Sequence, residues 1–299
     1  MKRRQFLSST GITLGLLALA RNKVFANVFL QSYNFKPLRR NVGIFTEQGG
    51  TIAWLVNKEG IVVVDSEFPD PANHLITELK KTSSMPFKYL INTHHHGDHT
   101  SGNIAFKGIA EQIVAHENSA ANQRTVALKN GTDEKQLYPD RTFKKDMAVR
   151  VGDEDIKLYY YGAGHTNGDA LIHFENANIV HMGDLMFNRR YPFIDKPMGA
   201  DIQNWIRVLE KALNNFDNET VFIFGHAADT HNVTGNKEDI KAFQNYLDKL
   251  LQHVASEIRA GKSREEILKV TFIPGASEWQ GQGIERSLNA AFEELNGGR

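Results

Sequence analysis

Four histidines and an aspartate crowd into the stretch Thr93-His94-His95-His96-Gly97-Asp98-His99. So many imidazoles have no use in an apolar core, and neutral imidazoles are ligands for zinc and other first-row divalent cations. Residues two apart point to the same side of an extended chain. His94 and His96 can therefore share one ion, while Asp98 and His99 can face a second. Three groups of matching chemistry follow: His165 in Gly162-Ala163-Gly164-His165-Thr166, Asp184 in His181-Met182-Gly183-Asp184, and His226 in Phe224-Gly225-His226. Each comes just after an apolar run that reads as a strand, and each is preceded by glycine, which lets the backbone turn sharply beneath the side chain. The chain has no cysteine. That excludes disulfides, thiolate nucleophiles, iron–sulfur clusters and cysteine-ligated zinc.

The elements that must position these groups are alternating strands and helices. Thr51–Val56 and Gly60–Asp65 are β-branched runs on either side of Asn57-Lys58-Glu59, a hairpin signal, with Val42–Thr46 a further strand before them. Pro71–Lys81 predicts a helix capped by Asp70, and Phe87–Asn92 the strand that delivers the histidine cluster. Gln112–Ala115 reads as a strand, Ser119–Lys129 as a helix and Gly131–Lys145 as a surface loop. Ile156–Tyr161, Ala170–Phe174 and Ile179–Met182 predict three strands with tight turns between them. Ile202, Trp205, Ile206, Leu209 and Leu213 recur at helical spacing within Asp201–Phe216, and Val221–Phe224 is a short buried strand. A long helix covers Lys237–Arg259, the capping box Ser263-Arg264-Glu265-Glu266 starts another, and Ile284–Leu295 is the last. Early hairpins and later βα units predict an α/β fold of mixed sheets covered by helices.

The 299 residues suffice for one large domain or two small ones, and 41% hydrophobic with 23% charged residues is a globular composition. Thirty-five acidic residues balance 35 basic ones, so no nucleic-acid partner is indicated. Residues 1–26 read basic, then apolar, then small, as a secretory signal does, and Ser8–Ala20 is too short to span a membrane. Arg3-Arg4 followed by Gln5-Phe6-Leu7 resembles a twin-arginine signal. It implies transient engagement of the twin-arginine export machinery and a bacterial periplasmic or secreted location. Residues 27–299 then form one domain, with a helical extension lacking any metal-ligand pattern from about residue 235.

The ordered set His-x-His-x-Asp-His, His, Asp, His resembles the metallo-β-lactamase superfamily at every ligand position, over most of Val42 to His226. Gly49-Gly50-Thr51 with Val62-Val63-Val64-Asp65 is similar to that family's opening hairpins. The resemblance implies an αββα sandwich of two mixed β-sheets covered by helices, with metals at one edge. It implies one site of His94, His96 and His165, a second of Asp98, His99 and His226, and Asp184 bridging the two. Asp65 would lie beneath, orienting the metal-binding loop through hydrogen bonds. Two Zn2+ per chain are expected, and iron or manganese suits the same donors. Asp184 stands where the best-known zinc β-lactamases carry Cys, and Phe187 where acyl-homoserine lactonases carry Tyr. The ligand set is more similar to that of glyoxalase-type thioesterases, lactonases and phosphodiesterases.

The function expected from this set is hydrolysis of a small molecule's β-lactam, lactone, ester or thioester by water activated between two zinc ions, with β-lactams slightly favoured. The alternative is a non-hydrolytic member of the same superfamily, an iron-dependent oxidoreductase or a metal-binding protein. Asp98 is the catalytic candidate, accepting a hydrogen bond from the nucleophile and shuttling its proton. Arg189, Arg190 and Tyr191, a few residues past Asp184, are candidates to bind a substrate carboxylate. His95 is expected to point away from the metals, with His116 and His181 structural. The helices beyond Gly235 cover a sheet face, cap the site or build a dimer surface; the sequence leaves these three open.

Overall fold

Residues 33–297 are described by a computed structural model; the leader expected over residues 1–26 lies outside them. The β-branched runs give β2 (Val42–Thr46), β3 (Ile52–Asn57) and β4 (Gly60–Val64), an antiparallel meander. With β1 (Asn34–Arg39) on one side and β5 (Phe87–Asn92), β6 (Ala110–His116) and β7 (Arg141–Phe143) on the other, they form a seven-stranded sheet in sequence order. From β4 to β7 the strands run parallel, so helices make the crossovers: α1 (Pro69–Thr82), then α2 (Gly97–Thr100), then α3 (Glu117–Asn130).

The second sheet runs in the order β15 (Thr234–Gly235), β13 (Val221–Ile223), β11 (Ile179–His181), β10 (Leu171–Phe174), β9 (Glu154–Tyr159), β8 (Asp146–Val151). It is antiparallel except where β11 and β13 pair in parallel. Two short strands, β12 (Phe187–Asn188) and β14 (His226–Ala227), pair apart from it. The sheets meet through Val62, Val64, Ile91 and Val114 of the first and Ile156, Leu158, Ile172 and Phe174 of the second. In β9 buried and half-buried residues alternate, the period of a strand with one inward face. The central strand β4 is buried throughout because both its faces are covered.

Helices close the outer faces. α1 buries Leu75, Ile76 and Leu79. The other face of the second sheet, through Leu171, Val180 and Phe222, joins Trp205 of α4 (Ile202–Asn215) and Phe243 and Tyr246 of α5 (Lys237–Arg259) in one cluster. That cluster continues through α6 (Arg264–Ile267), the fully buried Trp279 and α7 (Ile284–Asn296). Each large apolar side chain removed from water there contributes about 1.5–3 kcal/mol. The helices beyond residue 235 therefore cover a sheet face, the first of the three alternatives, and Gln282, Gly283 and Arg286 also reach the edge of the site, the second. Together these elements make two mixed β-sheets flanked by helices.

The loop expected over Gly131–Lys145 needs correction. Arg141–Phe143 is strand β7, paired in parallel on the edge of β6, with Phe143 buried edge-on against His116. Three residues with one inward side chain are too few for a strand period to show in sequence. No helix among the described residues is long and apolar enough to cross a membrane.

Candidate metal centre

The donors come from strand ends that the two sheets bring to one edge. His94 to His99 follow β5, His165 follows β9, Asp184 follows β11 and His226 follows β13. The glycine before His226 is required by close approach: a Cβ on Gly225 would lie 2.0 Å from Asp184 Oδ1.

Two groups of donors result. His94 Nε2 lies 3.1 Å from His96 Nδ1, which lies 2.8 Å from His165 Nε2. Asp184 Oδ2 joins this group at 3.4 Å from His165 Nε2 and 3.8 Å from His94 Nε2. The other oxygen, Asp184 Oδ1, lies 3.0 Å from His99 Nε2 and 3.5 Å from His226 Nε2. Asp98 Oδ2 closes the second group, 3.1 Å from His226 Nε2 and 3.9 Å from His99 Nε2. Asp184 thus presents one oxygen to each group.

The far nitrogens of these rings are held from behind. His99 Nδ1 donates to Asp65 Oδ2 at 2.8 Å. Asp65 also accepts from the backbone N–H of Thr93 at 2.8 Å and from its hydroxyl at 2.7 Å, and that hydroxyl meets His94 Nδ1 at 3.0 Å. His165 Nδ1 donates to the carbonyl of Phe193 at 2.7 Å, and His96 Nε2 to Asp195 Oδ2 at 2.8 Å. Each outer bond leaves the inner nitrogen as a lone-pair donor, the arrangement that orients metal-binding histidines.

The electrostatics suit cations. Burial, with His99 and other imidazoles nearby, holds His94 well below the usual imidazole value, and burial takes His165 down to about 3. Burial opposes ionisation of Asp184, yet His226, His99 and His94 outweigh it and hold the carboxyl well below its usual range. His99 goes the other way: burial would lower it, but Asp184, Asp98 and Asp65 raise it well above the usual value. The carboxylates around His99 thus call for positive charge at this point of the site. Asp184 Oδ1 has the His99 and His226 ring nitrogens near it, at 3.0 and 3.5 Å, and two facing ring nitrogens can share only one proton. Divalent cations would satisfy all these groups at once, so the residues fit bound metal.

Several positioning residues leave no local signal in the sequence. Buried Glu67 accepts the backbone N–H groups of Glu47, Gln48 and Gly49 at 3.0, 2.7 and 2.8 Å. This fixes a loop whose Gly50 N–H donates to the Asp98 carbonyl at 3.0 Å. Asp65 and Glu67 both take left-handed backbone, φ +65° and +48°, a conformation that costs non-glycine residues energy and clusters at functional sites. Buried Asp169 accepts from the N–H and hydroxyl of Thr166 at 2.8 and 2.6 Å, and burial pushes its carboxyl up to about 7. Asn204, in the first turn of α4, donates to the Ala163 carbonyl at 2.7 Å and so braces the loop carrying His165.

A cleft of about 320 Å³ opens over the centre, lined by Asp98, Asp184, His226, Phe187 and Phe193 among others. Arg190 and Tyr191 line it too, although Tyr191 is largely buried and its hydroxyl donates to the Thr271 carbonyl at 3.5 Å. Arg189 departs from the expectation. Its φ of +57° turns the chain, and its guanidinium lies over the Trp279 ring, 4.9 Å from the centroid, instead of in the cleft. His95 joins neither of these groups; it clusters instead with His96 and Asp195, its Nε2 3.5 Å from Asp195 Oδ2. His116 Nδ1 accepts the Asn118 N–H at the start of α3, and His181 bridges the Thr51 carbonyl and the Gly183 N–H.

Fold and donor set together define a metal-dependent hydrolase of the αββα class. A family model described as Metallo-beta-lactamase superfamily matches residues 46–226, and the chain belongs to that superfamily. It is similar to metallo-beta-lactamase IND-1 of Chryseobacterium indologenes, 22% identical over 202 residues that cover 64% of this chain and 80% of that protein. Among solved structures, a metallo-beta-lactamase from Pontibacter korlensis superposes with a TM-score of 0.60 at 21% identity, covering 72% of this chain and 99% of its own. The sec-alkylsulfatase Pisa1 from Pseudomonas sp. superposes with a TM-score of 0.69 at 13% identity, covering 88% of this chain and half of its own. At these identities the structural likenesses show the fold.

Proposed function

We propose that this chain is a dinuclear zinc hydrolase that opens a β-lactam, lactone, ester or thioester bond of a small molecule, with β-lactams slightly favoured. The observation that carries the reading is Asp184, whose two carboxylate oxygens face two separate donor groups. His94, His96 and His165 would hold one ion, Asp98, His99 and His226 the other, and Asp184 both. Two such ions supply acidified water and a Lewis acid for the carbonyl. The chain's own contribution is positioning and proton transfer. Asp65, Asp195 and the Phe193 carbonyl keep the imidazoles aimed inward. Asp98, with its side chain about one-third exposed to the cleft, is the residue to accept a proton from attacking water and return it to the leaving heteroatom as the acyl bond breaks. His99 and His226 hold Asp98 below the usual carboxylate range against the effect of burial, so it is ionised and ready to accept. The likeness to IND-1 favours the β-lactam among these substrates. Residues 1–26 would carry the folded domain, residues 27–299, to the bacterial envelope by the twin-arginine route.

The test is metal analysis of residues 27–299 together with initial rates on a chromogenic cephalosporin, with two equivalents of zinc, with and without chelator. Two zinc ions and chelator-sensitive hydrolysis are expected. No turnover with both ions bound moves the substrate to lactones, esters and thioesters. One coloured iron per chain overturns the zinc reading in favour of an oxidoreductase.

A further inference from the structure

The cleft is not built from the family-matched stretch alone. Residues from the C-terminal extension complete its rim, because that segment is zipped onto the loop that follows Asp184. Gln280 donates its N–H to the Arg189 carbonyl at 3.1 Å and accepts the Tyr191 N–H at 3.3 Å, while Ser287 Oγ donates to the Pro192 carbonyl at 3.0 Å. This sets Arg286, on α7, beside the same opening as Arg190. Both side chains are exposed, and neither pairs with an acidic group among the described residues. Phe193 lines the same cleft, 42% exposed, its ring tilted 5.4 Å from His96 and lying under the Arg286 guanidinium at 5.7 Å.

An unpaired arginine at a cleft mouth presents a fork of donors suited to carboxylate, sulfate or phosphate. Two of them, from separate parts of the chain and next to an exposed aromatic ring, describe a receptor for a particular shape of molecule. We propose that Arg190 and Arg286 together bind an anionic group of the substrate while an adjoining apolar group rests on Phe193, so that the enzyme selects amphipathic anions. This rests on the hydrolase reading for what happens next, but the recognition is separable from it.

The test uses binding to the full chain, zinc-loaded and metal-stripped, measured by calorimetry with phenylacetate, benzylsulfonate, benzylphosphonate and the neutral phenylacetamide. At least one anion is expected to bind about tenfold or more tighter than the amide. Arg190→Ala and Arg286→Ala should each weaken it about tenfold, with Arg286→Lys retaining part. The ratio of wild type to variant should be the same with and without zinc. The tightest of the three anions names the group recognised. Equal binding of amide and anions, anion binding that survives both alanine substitutions, or a variant effect present only with zinc would each overturn the proposal. Failure of the hydrolase reading shows separately, as absent zinc or absent turnover, and leaves these ratios untouched.

Discussion

Asp195 Oδ2 accepts the Nε2–H of His96 at 2.8 Å across 99 residues of chain. The bond fixes the tautomer of a ring whose Nδ1 faces His94 and His165. An outer carboxylate of this kind raises ligand basicity and typically carries about 10–100-fold of metal affinity. Asp195→Ala is expected to weaken the tighter zinc by about that factor, and Asp195→Asn, which keeps an acceptor without charge, by less. Competition with a chromophoric chelator reads this, and equal affinity in all three proteins would contradict the role.

Removing metal should cost stability as well as activity. The stripped centre keeps the His94, His96 and His165 nitrogens 2.8–3.1 Å apart beside Asp184 Oδ2, and crowds His99 and His226 about its Oδ1 at 3.0 and 3.5 Å. Zinc at about a thousandfold over its Kd contributes about 4 kcal/mol by mass action. In a chain of this size that corresponds to a melting temperature higher by about 10 °C. Scanning calorimetry with and without chelator checks it; coincident melting curves would show that the donors do not hold the ion in the folded state.

Gly50 tests how tightly the opening loop is fitted to the centre. A Cβ at this position would lie 2.1 Å from His99 Cε1. Gly50→Ala must therefore displace His99 or the loop that Glu67 anchors. The expected outcome is a folded protein that binds one zinc where the wild type binds two, seen by metal analysis and circular dichroism. Full occupancy in the variant would mean that the loop yields freely.

The metal-free protein should lose stability in mild acid through two histidines outside the donor set. His181 Nε2–H donates to the Thr51 carbonyl at 2.8 Å while Nδ1 accepts from Gly183, and His116 Nε2–H donates to the Lys144 carbonyl at 2.9 Å. Burial lowers both below the ordinary imidazole value. Folded-state values are depressed, so the unfolded chain takes up these protons first. The stabilisation is present above the unfolded value and is lost as pH falls through the folded one. Each histidine adds at most about 1.4 kcal/mol per pH unit to the slope. Urea midpoints of stripped protein between about pH 7.5 and pH 5 should show it, with a shallower slope for His116→Gln; an unchanged slope would remove His116 from the account.

What could be read from the sequence follows the range over which each feature acts. The clustered His and Asp residues were legible because they announce themselves locally, as a dense histidine run or as Gly-His and Gly-Asp after apolar strands. The long helices were legible because Trp205 and Leu209, or Leu247 and Leu250, repeat at the period of a helix. The short edge strand Arg141–Phe143 was not, since its partner β6 supplies the pairing. Asp195, Glu67 and Arg286 were not legible either, since each acts on a group far away in sequence: His96, the loop after β2, and the cleft mouth. Consecutive Arg189 and Arg190 look equivalent in sequence and are separated only by the backbone turn between them.

The rim residues Gln282, Gly283 and Arg286 lie well beyond the last metal donor, His226, and outside residues 46–226. The residues grouped about Asp184 and the residues that finish the doorway thus lie on separate stretches of chain. Substitutions within the last few dozen residues can reshape the doorway without touching the His and Asp cluster. The same separation suits grafting: an exchanged C-terminal segment that keeps the Gln280 and Ser287 contacts to residues 189–192 would bring a new doorway to an old centre.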